Sequence, residues 1–249
     1  MRPLVDISII IPVYNEAELI GSTLEHVRDY CKQQSYDYEI IVVDDGSTDE
    51  TKEKITSFLS HEQQKIHLLE NERNLGKGAA IRRGVLASSK NWVLYLDADL
   101  SLPIEYLDAF LSHAESDIII GSKFSGGHAC NSSYPWHRRA GSRMFNYLVR
   151  IFLIKGIKDT QCGFKLFRGN VARRLFALQT IAGYGFDIEI LYLAQKYGYH
   201  ITEQPISFRH RRASKVKFIL AGLQMARDII KIKLQDRFGM YSLICEAQK

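Results

Sequence analysis

The sequence contains no apolar run long enough to cross a membrane as a helix, which would need about 18 residues. Its longest apolar stretches, ISIIIPVY and NYLVRIFLIKGI, are shorter, and Arg150 interrupts the second. The first residues, MRPLVDISIII, enter a strand pattern at once and show no signal-peptide cleavage region. We therefore expect a cytoplasmic protein whose contact with any membrane is peripheral.

Cysteine is also scarce, and its spacing excludes two classes of small domain. The chain of 249 residues has four cysteines, none of them in a C-x-x-C pair: Cys31, Cys130, Cys162 and Cys245. Scattered cysteines of this kind indicate reduced thiols and not a disulfide framework or a zinc site.

Negative charge is scarce in the second half of the chain. Residues 121–249 hold 22 Lys and Arg against 7 Asp and Glu, whereas residues 1–120 hold 11 against 21. A basic half favours an anionic partner, such as nucleic acid, a phosphorylated substrate or an acidic membrane surface, although solvated lysines that maintain solubility give the same count. Nucleic acid is the weakest of these, because FRHRRASKVKF has aromatic residues only at its ends and stacking requires them interleaved.

Strand patterns alternate with helical patterns along the first half. Five apolar runs that end in polar or turn residues read as strands: DISIIIPVYNE, YEIIVVDDGSTD, KIHLLEN, WVLYLDADLS and SDIIIGSKF. This alternation predicts an α/β protein with a mostly parallel sheet flanked by helices. Ligands bind such sheets beyond the carboxyl ends of the strands, so the polar residues there predict the site.

The segment NLGKGAAI places Gly76 and Gly78 before a predicted helix, as a dinucleotide-binding loop would. Position 81 is isoleucine where that fingerprint has its third glycine, and the first strand leads into PVYNE instead of a glycine loop. The pattern therefore argues against a dinucleotide cofactor. We interpret Lys77 as a side chain that reaches a nucleotide or its phosphate.

Two carboxylates, Asp97 and Asp99, follow the strand VLYL one residue apart. Hard oxygen ligands at this spacing suit Mg²⁺ or Mn²⁺, which bind one or two carboxylates and complete their shell with substrate phosphates and water. The alternative is an aspartate that caps the next helix, which would account for one of the two residues.

Several motifs occur in the order typical of a known family: IIIPVYNE, VVDDGSTDET, NLGKGAA, YLDADLS and GSKFSGG. The chain resembles the family 2 glycosyltransferases, whose GT-A fold is a Rossmann-like sheet. Four later segments resemble the polyprenyl-phosphate sugar synthases within that family: HRRAGSRMFN, DTQCGFKLF, FDIEIL and EQPISFRHRRASKVK.

The resemblance implies inverting transfer of a hexose from a nucleotide-diphosphate sugar to a polyprenyl or dolichyl phosphate. The segment DTQCGFKLF is closer to the dolichyl-phosphate glucosyltransferases than to the mannosyl enzymes, which favours UDP-glucose over GDP-mannose. A phosphate acceptor is already an anion and needs no protein base. A hydroxyl acceptor in polysaccharide or glycolipid synthesis would need one, and Asp187 is its best candidate. A non-catalytic nucleotide-sugar-binding module is the remaining alternative.

The resemblance also implies which residues bind the donor. Those that would hold the base and ribose are Pro12, Tyr14, Glu16 and Asp45. Asp97 and Ala98 would contact the nucleotide and the sugar. Asp99 would bind the metal that bridges the diphosphate, Mg²⁺ or Mn²⁺, with Asp97 and Ser101 as further candidate ligands.

On the acceptor side, Lys123 stands where family members commonly have arginine, so a bidentate phosphate contact would become a point charge. Arg138 and Ser142 lie four residues apart, on one face of a predicted helix, and would hold the acceptor phosphate. Arg209 and Lys215 would close over the diphosphate. Lys123 and these four residues, with Asp99, form the predicted catalytic set.

Each of these assignments has a structural alternative. Arg138 and Arg139 would also suit a solvated surface pair, and Lys215 would suit the polar face of the last helix. Asp187 and Glu189 would suit helix-start carboxylates stabilised by the helix dipole.

We expect residues 1–215 to form the glycosyltransferase domain and residues 216–249 a basic amphipathic extension. The extension carries an apolar stripe at helical spacing: Ile219, Leu223, Ala226, Ile230 and Leu234. Such a stripe packs either on the core or on the cytoplasmic face of an anionic membrane, and the segment MFNYLVRIFLI is an equal candidate for the membrane contact.

Overall fold

A seven-stranded sheet organises the computed structural model, which describes residues 5–59, 65–123, 153–207 and 218–242. The strands are β1 (Asp6–Val13), β2 (Asp37–Asp44), β3 (Ile66–Glu70), β4 (Trp92–Leu96), β5 (Ile118–Ser122), β6 (Phe164–Arg168) and β7 (Ile201–Pro205). The described helices are α1 (Ile20–Gln33), α2 (Thr51–Leu59), α3 (Lys77–Ala87), α4 (Tyr106–Leu111), α5 (Gly169–Leu178), α6 (Phe186–Lys196) and α7 (Phe218–Arg237).

The strand order is β3-β2-β1-β4-β6-β5-β7, and every pair is parallel except the two that β6 makes. The predicted α/β class and mostly parallel sheet are therefore confirmed. β6 runs antiparallel between β4 and β5, with Lys165 opposite Tyr95. The start of β6 therefore lies at the same edge of the sheet as the carboxyl ends of the other six strands.

Helices cover both faces of the sheet, which explains why its strands read as continuous apolar runs. Successive side chains of a strand point to opposite faces. In β1, Ile9 and Ile11 pack with residues of α1 and α4, whereas Ile10 packs on the other face with residues of α3, α5 and α6. Burial on both faces fixes the register of the strands and so the positions of the loops at their carboxyl ends.

Helix α7 lies within the predicted carboxyl-terminal extension, and it has one face packed on the core and another exposed to solvent. Ile232, and Tyr241 beyond the helix, are buried in the core, but Ile230 and Leu234 of the predicted stripe are 61% and 48% exposed. The side chains of Ile219, Leu223 and Ala226 lie outside the described residues, as do residues 143–152 of the other membrane candidate. In the described parts of the chain, no helix is long and apolar enough to span a membrane.

Candidate active site

The carboxyl edge of the sheet gathers the residues that the sequence singled out. Tyr14 follows β1, Asp45 follows β2, Asp97 and Asp99 follow β4, and Lys123 follows β5. The four strands are parallel to one another, so these loops emerge at the same edge of the sheet, with the start of β6 between those of β4 and β5. Four further predicted residues lie outside the described ranges: Arg138, Ser142, Arg209 and Lys215.

The loop after β1 is held by the loop after β2. The Asn15 and Glu16 backbone N–H groups donate to Ser47 Oγ and Thr51 Oγ1, each at 2.9 Å, and the Thr48 N–H donates to Asn15 Oδ1 at 2.8 Å. Asn15 has φ +55°, a conformation that asparagine tolerates better than most residues.

Three residues predicted to bind the base or ribose lie in β1 and in this hydrogen-bonded loop: Pro12, Tyr14 and Glu16. Tyr14 is 41% exposed, so part of this residue is accessible to a ligand at the edge of the site. Pro12 is half-buried within β1, opposite Val43. The donor-binding roles of Pro12, Tyr14 and Glu16 stay predictions.

Asp45 is buried and organises the loop that precedes α3. Its Oδ1 accepts from Asn71 Nδ2 at 2.7 Å and from the Leu75 N–H at 3.0 Å, and its Oδ2 accepts from the Gly76 N–H at 2.8 Å. The position of Lys77, the next residue, therefore depends on Asp45. This loop-building role was not predicted, and the role of Asp45 toward base and ribose stays a prediction.

The two glycines beside Lys77 have a packing function. Gly76 has φ +105°, and a Cβ on Gly78 would lie 2.7 Å from Cβ of Phe186 and 2.8 Å from the Ile181 carbonyl oxygen. Only glycine allows α3 to approach residues 181–186 this closely. These contacts account for the GxG pattern without a dinucleotide.

Lys77 forms an ion pair with Asp97, with Nζ 2.5 Å from Oδ1. Burial by itself lowers the pKa of the Lys77 ammonium, but the carboxylates of Asp97 and Asp187 together raise it above its ordinary value. Lys77 is therefore a cation that is paired with Asp97 and also attracted by the Asp187 carboxylate.

The turn after β4 fixes both metal-candidate carboxylates. The Leu100 N–H donates to the Asp97 carbonyl at 3.1 Å, and the Ala98 carbonyl accepts from Thr23 Oγ1 at 2.6 Å. Ser101 donates to Asp99 through its N–H at 2.9 Å and its Oγ at 2.7 Å. Ser101 thus orients Asp99. The helix-cap alternative is wrong, because the residue at the amino-terminal cap of α4 is Glu105.

The donor set fits a hard divalent cation of the magnesium type. Asp97 and Asp99 are both half-buried, and both offer carboxylate oxygens. Within the described ranges, no group of three or more His, Cys, Asp or Glu residues could hold a metal. A pair of carboxylates leaves most of the coordination shell to water and substrate phosphates, which is how Mg²⁺ is commonly bound.

On the β5 side of the site, the buried Asp159 and the half-buried Glu203 accept hydrogen bonds that join three segments of the chain. Asp159 Oδ2 accepts from the Lys123 N–H at 3.2 Å. Glu203 Oε1, on β7, accepts from the N–H groups of Lys158 and Asp159, both at 3.0 Å. The start of the segment DTQCGFK is therefore bound to the end of β5 and to the middle of β7, and its Asp159 is a structural residue that the sequence did not single out.

Asp187 and Glu189 occupy the first turn of α6, as the helix-start interpretation has it, but both are buried. Glu189 accepts hydrogen bonds from the backbone of residues 180 and 181 and from the Tyr241 hydroxyl. Asp187 Oδ1 accepts from Lys165 Nζ at 2.5 Å and from the Tyr95 hydroxyl. Glu189 therefore anchors a loop, and Asp187 belongs to a buried charge network.

Comparison with known proteins agrees with this architecture. The family model described as glycosyl transferase family 2 matches residues 8–176. The chain belongs to glycosyl transferase family 2. The glycosyltransferase motifs quoted above thus identify its family correctly.

Curated members of the family extend the match over nearly the whole chain. A dolichyl-phosphate beta-glucosyltransferase from Dictyostelium discoideum is 34% identical over 95% of this chain and 76% of its own length. The Homo sapiens protein of the same name is 30% identical over 97% of this chain and 79% of its own.

Solved structures share the fold. A glucosyl-3-phosphoglycerate synthase from Mycobacterium tuberculosis, in complex with Mn²⁺, UDP and phosphoglyceric acid, has a TM-score of 0.65 at 22% identity and covers 94% of this chain and 78% of its own. A mannosyl-3-phosphoglycerate synthase from Rubrobacter xylanophilus has a TM-score of 0.63 at 18% identity and covers 94% of this chain and 75% of its own.

Proposed function

We propose that this glycosyltransferase transfers glucose from UDP-glucose to dolichyl phosphate or a related polyprenyl phosphate. Relatives that carry the name dolichyl-phosphate beta-glucosyltransferase match it at 30% to 34% identity and are matched over 72% to 79% of their length. The geometry adds an independent argument about the acceptor, which rests on Asp187.

The observation that carries the acceptor assignment is the burial of Asp187. A hydroxyl acceptor needs a carboxylate or similar base within hydrogen-bond reach of its proton. Asp187 is the sequence's best candidate, yet it is 5% exposed, and its Oδ1 is engaged by Lys165 and Tyr95. A phosphate monoester is already ionised at neutral pH and needs no such base.

The donor would lie across the loops after β1, β2 and β4. Tyr14, which is partly exposed, suits the nucleobase, and Asp97 and Ala98 would lie beneath the diphosphate and sugar. The Mycobacterium tuberculosis structure with UDP has the same fold, which supports a uridine nucleotide at this edge. GDP-mannose is the alternative donor.

A divalent metal, Mg²⁺ or Mn²⁺, would be held by Asp97 and Asp99, with Ser101 orienting Asp99. When bound, the ion supplies positive charge that stabilises the departing nucleoside diphosphate. Lys77 already lies on Asp97, so its ammonium would stand beside the same diphosphate.

The remaining task of the protein is to hold two anions in line. An oxygen of the lipid phosphate attacks the anomeric carbon of glucose, the bond from that carbon to UDP breaks, and the configuration inverts. We assign the acceptor phosphate to Lys123, Arg138 and Ser142. The leaving diphosphate would be covered by Arg209 and Lys215, whose charge is worth most where water is excluded.

We assign access to the lipid to peripheral contact with the cytoplasmic face of an anionic membrane. Ile230, Leu234 and Phe238 recur every four residues along α7 and its end and are all exposed, with Phe238 at 73%. Lys233 and Arg237 are exposed beside them. An apolar stripe with basic flanks is the pattern of an interfacial helix.

Vesicle binding tests this contact. We expect the protein to co-sediment with phosphatidylserine vesicles. High salt should weaken the binding because exposed charges are screened. The double variant Ile230→Ser/Phe238→Ser should also bind more weakly. Met240→Ser, which removes an exposed apolar residue outside that spacing, is the matched control. Binding that changes neither with salt nor in the Ile230→Ser/Phe238→Ser variant would contradict the assignment.

The activity is tested by incubating the protein with Mn²⁺, dolichyl phosphate and either radiolabelled UDP-glucose or GDP-mannose, followed by extraction of lipid. We expect label in a glycolipid from UDP-glucose only. Label from GDP-mannose alone would change the donor, and label from neither would overturn the proposed function.

A further inference from the structure

Lys165 is a lysine with no exposed surface, at the second position of β6. Its Nζ lies 2.5 Å from Asp187 Oδ1 and 2.7 Å from the Cys162 carbonyl oxygen. The Tyr95 hydroxyl, opposite it in the sheet, donates to the same Asp187 oxygen. Burial, followed by the Asp187 carboxylate, raises the pKa of Tyr95 well above its ordinary value, so this hydroxyl remains a donor.

Fold stability does not account for this pair. Removing two charges from water is costly, and replacing a buried ion pair by apolar residues of similar volume is often neutral or stabilising. Phe167, two residues along β6 and so on the same face as Lys165, belongs to a buried apolar cluster that an apolar side chain at position 165 would extend. The position of the pair relative to Asp97 suggests a different role.

The first connection to Asp97 runs through the backbone. Lys165 holds the Cys162 carbonyl, and the next residue, Gly163, packs directly on the Asp97 carboxylate. A Cβ on Gly163 would lie 2.1 Å from Asp97 Oδ2 and 2.7 Å from its Cγ. The backbone at Gly163 therefore forms a wall that limits where Oδ2 can lie.

The second connection runs through charge. Asp187, held by Lys165, attracts the Lys77 ammonium, and Lys77 binds Asp97 Oδ1 at 2.5 Å. Asp97, Lys77, Asp187 and Lys165 thus alternate in sign. Oδ2 of Asp97 is restrained by Gly163, whose neighbouring carbonyl Lys165 binds, and Oδ1 is bound by Lys77, which the Asp187 carboxylate attracts.

We propose that Lys165 and Asp187 are positioning residues for the donor site, which hold the Asp97 carboxylate in place from both sides. This inference rests on the proposed function for the identity of the ligands. It assigns to Asp187 a fixed negative charge instead of proton transfer.

The test uses the double variant Lys165→Met/Asp187→Asn, which removes both charges together and leaves no unpaired buried ion. Binding of Mn²⁺ with UDP-glucose is measured by titration calorimetry. We expect affinity to fall about 10- to 100-fold, as when outer hydrogen-bond partners of metal ligands are lost, with the Michaelis constant for dolichyl phosphate unchanged. Lys90→Met, which removes an ion-paired lysine at the opposite edge of the sheet, is the control and should bind the donor normally.

Wild-type affinity in a folded double variant would overturn the positioning role while leaving the proposed function intact. An equal loss of donor and acceptor binding would also overturn it, since that result indicates general damage to the fold. A crystal structure of the double variant without ligand gives a readout independent of donor identity. We expect Gly163 or the Asp97 side chain to have moved, and unchanged positions for both would contradict the proposal.

The pH profile separates positioning from base catalysis. Asp187→Asn should weaken donor binding at every pH and leave the shape of the rate profile unchanged. A base role predicts the opposite, in which the variant binds the donor normally and loses the pH-dependent part of the rate.

Discussion

The amino and carboxyl edges of the sheet carry the same kinds of charged and polar side chain, but the ion pairs and hydrogen bonds of these side chains are arranged differently. At the amino edge, Lys90 Nζ lies 2.7 Å from Asp37 and 3.4 Å from Asp6. Nearby, Glu39 accepts from Ser8 Oγ and from the Ser89 N–H. These half-buried groups pair with one another at the amino edge itself, as ion pairs near a protein surface commonly do.

At the carboxyl edge, the half-buried pair Lys77–Asp97 lies above a second, fully buried pair, Lys165–Asp187. Asp99 there has contacts within its own turn, to Ser101. The comparison teaches that polar strand ends do not by themselves mark a site. What distinguishes the carboxyl edge is a layer of buried charge beneath carboxylates that still face outward.

The largest expected difference between the edges concerns one aspartate at each. Asp99→Ala should lower glucose transfer by about two to three orders of magnitude, the scale of losing a charge contact at the reacting centre. Asp37→Ala at the amino edge should leave transfer unchanged. Rates with saturating Mn²⁺ and thermal unfolding of both variants make the comparison, and an active, folded Asp99→Ala variant would remove the metal assignment.

A smaller effect on the carboxyl edge is expected from replacing Gly163, because this change alters the shape of the site and not its charge. Gly163→Ala would place a methyl group against Asp97, so we expect roughly tenfold weaker donor binding, in line with displaced ligand partners. Gly21→Ala in α1 is the control, because its Cβ meets no atom within 4 Å and alanine favours a helix. Equal donor affinity in both variants would show that the Gly163 wall is unimportant.

The sequence predicted the part of this site that depends on local pattern. Alternating strands and helices placed Asp45, Asp97 and Asp99 at one edge, because parallel strands share that edge whatever their order. The GxG at Gly76 and Gly78 has a packing explanation, but the contact with residues 181–186 that requires these glycines was not foreseen.

The buried layer could not be predicted in the same way. The contact of Gly163 with Asp97 depends on β6 pairing antiparallel with β4, and strand pairing between distant segments leaves no local periodicity in the sequence. Lys165 gave one signal, a lysine inside the apolar run FKLF. That signal does not say which carboxylate the lysine meets.

The smallest effect belongs to the amino edge and concerns stability alone. Lys90→Met should cost roughly 1 kcal/mol at pH 7, the upper end of the usual range for ion pairs at a protein surface, because the Lys90 side chain is half-buried. Its hydrogen bond to Asp37, opposed by partial burial, raises the pKa of Lys90 above its ordinary value.

A raised pKa fixes the sign of the pH dependence at Lys90. The stabilisation is present while the lysine is charged in both states, and it is lost as pH rises past the ordinary value of 10.5. Urea unfolding at pH 7 and at pH 11 should therefore show the difference between wild type and variant shrinking. A difference that grows with pH would contradict this sign.

The most direct test of the central claim compares two acceptors that differ only in their phosphate group. Dolichyl phosphate and dolichol are each incubated with the wild-type enzyme, Mn²⁺ and UDP-glucose across a pH series. We predict transfer to dolichyl phosphate alone, with a rate that levels off above about pH 7 because the second ionisation of a phosphate monoester lies near 6. Comparable transfer to dolichol, with a rate that follows a protein base, would contradict a site that works without one.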